Sequence, residues 1–160
     1  MVFLFGNCHK DNQNQPSGCD IQKVYADNAS KVTITNGIWG TVSFMEGNCM
    51  PTTQPGLSTC KTCPVKRTLR IYEYTTPGNA TLNITTTFYD SFSTRLIKEI
   101  DTDNDGFFQT NIPSGHYTIV VIENGKLYVC SFDGQGGLNP FTFISGKKNI
   151  NLTLTYKAVF

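Results

Sequence analysis

The chain has 160 residues, of which 16% are charged, and its 13 basic and 12 acidic side chains leave a net charge of +1. That length suits one domain with a sizeable core and is short for two. With no basic run and no aromatic-basic ladder, nucleic acid is not an expected partner, and no stretch approaches the roughly 20 apolar residues of a membrane-spanning helix.

Residues 1–20 read as a signal remnant followed by a polar tether. Met1-Val2-Phe3-Leu4-Phe5 is apolar, but it is shorter than the apolar region of a secretory signal and lacks a leading positive charge. Leu4-Phe5-Gly6-Asn7-Cys8, with the polar run from His9 to Gly18 behind it, resembles the end of a lipoprotein signal with its acceptor cysteine. Cys8 is therefore the lipidation candidate, and Asn7 departs from the small residue usual at that place. A plain N-terminal segment is the alternative.

Residues 21–36 are assigned as an N-terminal strand segment, because Lys31-Val32-Thr33-Ile34-Thr35 alternates polar and apolar side chains. Such a strand adds to the edge of its own domain or pairs with another subunit, so self-association or assembly with other envelope proteins through residues 31–35 is the partner expectation. The main domain is expected over residues 37–160. Its first strand carries Ile38, Val42 and Phe44 on one parity and Trp39, the single tryptophan, on the other. Trp39 is covered by a loop or marks a ligand contact.

Six cysteines point to an oxidising compartment. Apart from Cys8, the disulfide candidates are Cys19, Cys49, Cys60, Cys63 and Cys130, and spacing alone does not give the pairing. Cys60-Lys61-Thr62-Cys63 has the spacing of a redox dithiol or half a zinc site. It is followed by a strand pattern rather than a helix, which favours stapling of the long Pro/Thr-rich loop. Next comes a strand with Leu69 and Ile71 inward and Arg70 and Tyr72 outward, Tyr72 being a second candidate ligand contact.

Asp101-Thr102-Asp103-Asn104-Asp105-Gly106 forms an acidic turn. Phe108, Thr110 and Ile112 then share one face, Pro113 and Gly115 turn the chain, and Tyr117 to Ile122 is apolar on both faces. The expectation is a β-hairpin centred on Ile112-Pro113-Ser114-Gly115. Asp101, Asp103 and Asp105 are candidate calcium ligands, although position twelve of an EF-hand reading is Ile112 rather than the bidentate glutamate. No other cofactor is expected.

The pattern Thr102-Asp103-x-Asp105-Gly106-x-Phe108 followed by Ile112-Pro113-x-Gly115-x-Tyr117 resembles the carboxypeptidase regulatory-like domains of Bacteroidetes-type envelope proteins. The likeness runs on through Gly37 to Val42, Phe132-Asp133-Gly134, Asn139-Pro140 and Tyr156-Lys157-Ala158. It implies an all-β fold, a single transthyretin-like (Ig-like) Greek-key β-sandwich carrying a long N-terminal tail. Fold alone does not give function. A hydrolase of the same fold resembles a cluster of histidines with a Tyr-Arg-Gly-Ser end, and here His116 stands alone in the domain.

Asn124-Gly125 signals a hairpin, the Gly-rich loop from Asp133 to Pro140 lacks the lysine and helix of a phosphate-binding loop, and Ile150, Leu152, Leu154 and Tyr156 alternate with polar residues. Sequons occur at Asn28, Asn79, Asn83 and Asn151. The functional expectation is a non-catalytic structural or adhesive module of the bacterial cell envelope, at the outer-membrane surface or extracellular. The alternatives are a carbohydrate- or calcium-binding accessory module and a strand-exchanging filament subunit.

Overall fold

The computed structural model describes residues 19–51, 53, 58–83 and 87–160. They form an all-β sandwich with one short helix. The elements in order are α1 (Ile21–Ser30), β1 (Gly37–Asn48), β2 (Lys61–Pro64), β3 (Thr68–Glu73), a 3-10 turn (Pro77–Asn79), β4 (Ala80–Leu82) and β5 (Phe88–Phe92). They continue with β6 (Leu96–Asp101), β7 (Phe107–Thr110), β8 (Gly115–Glu123), β9 (Lys126–Tyr128), β10 (Pro140–Phe143), β11 (Lys147–Asn149) and β12 (Leu152–Val159).

The first sheet is built on β1. On one side run β11 and then β12, both parallel to it; on the other run β7 and then β2, both antiparallel. Gly40 is required there because a Cβ would lie 1.8 Å from the Ile150 carbonyl oxygen. The second sheet has the order β4-β5-β9-β8-β3-β6, with β10 also paired to β8.

Between the sheets lies the main core, with Ile38, Val42 and Leu154 from the first sheet against Leu69, Ile71 and Ile119 from the second. A smaller cluster of Tyr72, Tyr89, Val120, Leu127, Val129 and Leu138 covers the other face of the second sheet. The two apolar parities of β8 thus serve two cores, as the sequence leads one to expect. The hairpin at Asn124-Gly125 is present: Glu123 pairs with Lys126, and both turn residues have positive φ, 52° and 74°.

The expected hairpin around Pro113 is not formed. β7 pairs only with β1, while β8 pairs with β3, β9 and β10, so Ile112 to Ser114 carry the chain from one sheet to the other. Ile112 is buried at the corner, and the Tyr117 hydroxyl donates to the Pro113 carbonyl at 3.0 Å, fixing the crossing. A turn between two apolar strands satisfies a crossing and a hairpin equally. The partner strands decide between them.

The N-terminal strand is also corrected. Residues 21–30 are helical: Asp20 caps α1 by accepting from the Lys23 amide at 3.1 Å, and Ile21, Val24, Tyr25 and Asn28 share its covered face at helical spacing. Residues 31–35 form no strand. The Gln109 side chain, on the face of β7 away from Phe108, accepts from the amides of Thr33 and Ile34 and donates to the Thr33 hydroxyl. The segment is therefore pinned across its own sheet, and these two amides are engaged within the chain.

Asn28 docks the helix. It is fully buried, and its Nδ2 donates to Thr41 Oγ1 at 2.9 Å and to the Asp105 carbonyl at 3.0 Å. With that amide nitrogen engaged and enclosed, the Asn28 sequon offers no glycosylation site in the folded protein. Asn28→Ala removes both bonds and takes away their donor from the Thr41 hydroxyl and the Asp105 carbonyl, but it also removes the buried Asn28 Oδ1, which has no partner, so a stability loss of about 1 kcal/mol is expected in urea unfolding.

Candidate functional site

The acidic turn is organised by hydrogen bonds and by Lys31. Asp103 Oδ1 accepts from the amides of Asp105 and Phe107, both at 2.9 Å. Gly106, at φ 70°, brings the backbone so close that a Cβ would stand 2.2 Å from the Val42 carbonyl oxygen. The Lys31 ammonium donates to Asp103 Oδ2 at 2.9 Å and Asp105 Oδ2 at 2.7 Å, and lies over the Phe107 ring.

The third calcium candidate, Asp101, turns away and accepts from the Thr68 hydroxyl at 2.6 Å. The three carboxylates do not converge, and the place a cation would take between Asp103 and Asp105 holds the ammonium. No group of three metal-ligating side chains is assembled among the described residues. Burial would raise the Asp103 pKa, but Lys31 and the two backbone amides outweigh it and hold the carboxyl below its ordinary value.

Of the disulfide candidates, Cys19 pairs with Cys63 and Cys49 with Cys60. Cys60 and Cys63 thus belong to different bridges and do not form a redox pair with each other. Cys130 is corrected: it is an exposed free cysteine. Cys8, with the lipidation expected of it, lies outside the described residues.

The two aromatic candidates separate. Tyr72 is only 6% exposed, packed edge-on against Phe92, so it is not available as a ligand contact. The sequence places it on the outer parity correctly, but the second core covers that face. Trp39 is half-buried on the face of β1 away from the main core, with Asn149 of β11 as its register neighbour.

Two clusters that sequence reasoning misses are more developed. At one end of the sandwich a pocket of about 230 Å³ is bordered by Phe44, Lys61, Arg67, Glu123, Tyr156 and Lys157. Glu123, 6% exposed, accepts from Arg67 Nε at 2.5 Å and from the Tyr156 hydroxyl at 2.7 Å. Burial would raise the Glu123 pKa, but Arg67 and then Tyr156 more than offset it, and the carboxyl stays below its ordinary value. Burial first, and the Glu123 charge second, push the Tyr156 phenol up to about 12. Ultraviolet titration is expected to show a tyrosine step near that pH that Tyr156→Phe abolishes. Because the raised pKa belongs to the folded state, its stabilising contribution is lost as pH rises from about 10 towards that value.

The second cluster is a groove of about 590 Å³ between β10 of one sheet and β11 of the other. Its polar wall contains Asp133, whose Oδ1 accepts from the amides of Gln135 and Gly137 at 2.9 and 2.7 Å. The Tyr74 hydroxyl donates to Asp133 Oδ2 at 2.9 Å, and the Tyr74 ring stacks on His116 at 4.7 Å. The two amides chiefly hold the Asp133 carboxyl below its usual range, with Tyr74 and His116 adding to them. Tyr74, His116 and Asp133 come from three separate stretches of chain, and no spacing in the sequence announces them.

Compared with known proteins, the chain matches no family model, no curated protein and no solved structure.

Proposed function

We propose that the chain is a non-catalytic β-sandwich module of the bacterial cell envelope, a structural or adhesive unit held through the segment that precedes Cys19. The observation that carries this reading is the Cys19–Cys63 bridge, which fastens the N-terminal side of α1 to β2. Tension arriving from that side passes into β2 and its neighbour β1, which is itself hydrogen-bonded to four strands, instead of peeling the helix away. The two disulfides also suit an oxidising compartment.

The resemblance of the Asp103 to Tyr117 stretch to carboxypeptidase regulatory-like domains supports the same reading, with Cys8 as lipid anchor and other envelope proteins as partners. The test is the intact mass of the protein from its native envelope fraction, before and after reduction and alkylation, together with protease shaving of whole cells. An acylated Cys8, four cysteines that alkylate only after reduction, and loss of the protein on shaving are expected. A cytosolic, fully reduced chain would overturn the proposal.

A further inference from the structure

The geometry points to the groove between β10 and β11 as a binding site for an acidic saccharide, a short chain of carboxylated sugars such as uronic acids. In the parallel β1–β11 pair Lys148 stands beside Ile38, and laterally paired residues share a face. Ile38 is wholly buried in the main core, so Lys148 is directed to the side of the second sheet at the rim of the sandwich. No carboxylate lies within ion-pair distance of it among the described residues. A solvent-exposed cation without a counter-charge, at the rim of a groove, offers itself to an anion from outside.

The rest of the groove fits hydroxyl-rich ligands better than apolar ones. Its apolar floor, Phe141 and Ile150, is largely covered, so little hydrophobic area is available. Asp133 is held rigid through Oδ1, while its Oδ2 accepts only from Tyr74 and keeps capacity for a ligand hydroxyl. His116 is exposed and oriented by stacking on Tyr74. Asn149 and Asn151 border the first-sheet rim, where Asn149 donates to the Trp39 carbonyl and Asn151 accepts from the Thr41 amide. A carboxylate acceptor and an imidazole on the second-sheet side with a lysine on the first-sheet side match an extended saccharide bearing hydroxyls and a carboxylate. The volume lies within the range of about 300–1,000 Å³ typical of small-ligand sites.

The experiment titrates the full chain with a tri-uronic acid and with its methyl ester, which has the same shape and no charge, by calorimetry and backbone NMR. The acid is expected to bind at least tenfold more tightly than the ester, with shifts confined to residues 116, 133, 140–142 and 148–151. Lys148→Ala and His116→Ala, both at exposed positions, are each expected to weaken binding at least fivefold with unchanged thermal unfolding. Equal binding of acid and ester would overturn the proposal, as would no binding of either. A preference for an oligoglutamate peptide over the saccharide would assign the groove to a protein partner instead. A Lys148→Ala protein that binds normally but dimerises would make Lys148 a guard of the sheet edge and would likewise overturn the site.

Discussion

Replacing Cys63 with serine is expected to lower the folding stability by about 4 kcal/mol, because the bridge it removes spans 44 residues and chain-entropy loss grows with the closed loop. The 11-residue bridge between Cys49 and Cys60 corresponds to about 3 kcal/mol by the same reasoning. The inner bridge lies within the outer loop and shortens it, so the two effects are not additive. Loss of the outer bridge also releases α1 from covalent attachment and leaves it to Asn28, Lys31 and its half-buried apolar face. Urea unfolding of Cys63→Ser against Cys60→Ser, each combined with removal of the partner cysteine, measures the difference. An outer-bridge variant as stable as the native protein would mean that the helix and its contacts contribute little to the cooperative unit.

Arg67→Ala is expected to cost roughly 2–4 kcal/mol at neutral pH, since it leaves Glu123 ionised, buried and without its cation; partial exposure of Arg67 keeps the effect below that of a fully buried pair. The pH dependence carries the diagnosis. In the native protein the Glu123 pKa is depressed, so its contribution is present above the unfolded-state value of about 4.3 and is lost as pH falls through the lower folded value. Without Arg67, burial is opposed only by the Tyr156 hydroxyl and the Lys157 charge, so that pKa rises from its native value and the contribution the ionised carboxyl makes at neutral pH shrinks. The stability gap should therefore be small near pH 3 and full at pH 7. Glu123→Gln in the Arg67→Ala background should recover much of the loss. A gap independent of pH would show that Arg67 acts by packing of its aliphatic stem rather than by charge.

Much of the sheet architecture is legible because it rests on short-range periodicity. Alternation marks β12, apolar residues on both parities mark β8 as covered on both faces, and Asn124-Gly125 supplies the positive φ that a two-residue hairpin needs. The helix has a signal that a strand reading overlooks: a capping aspartate at 20, then Ile21, Val24 and Tyr25 at helical spacing. The stripe is obscured because its next position is the polar Asn28, buried through two specific hydrogen bonds. The alternation at residues 31–35 is real, but alternation records only which side chains can face a surface. Here the backbone partner is the Gln109 side chain and not another strand.

By itself the sequence determines much of the local conformation, namely most of the stretches that extend from residue 37 onward, where the chain turns, and that a two-faced strand requires cover on both sides. These follow from steric and hydrophobic preferences among near neighbours. Only the tertiary structure decides that Ile112 to Ser114 cross between sheets, that Lys31 fills the acidic turn, that Cys19 finds Cys63 while Cys130 stays free, and that Tyr72 is covered. It alone brings His116, Asp133 and Lys148 to one groove and Arg67, Glu123 and Tyr156 to one pocket. Those outcomes depend on which distant segments lie side by side, and pairing across long stretches of chain is set by the packing of the whole core rather than by any residue's neighbours in sequence.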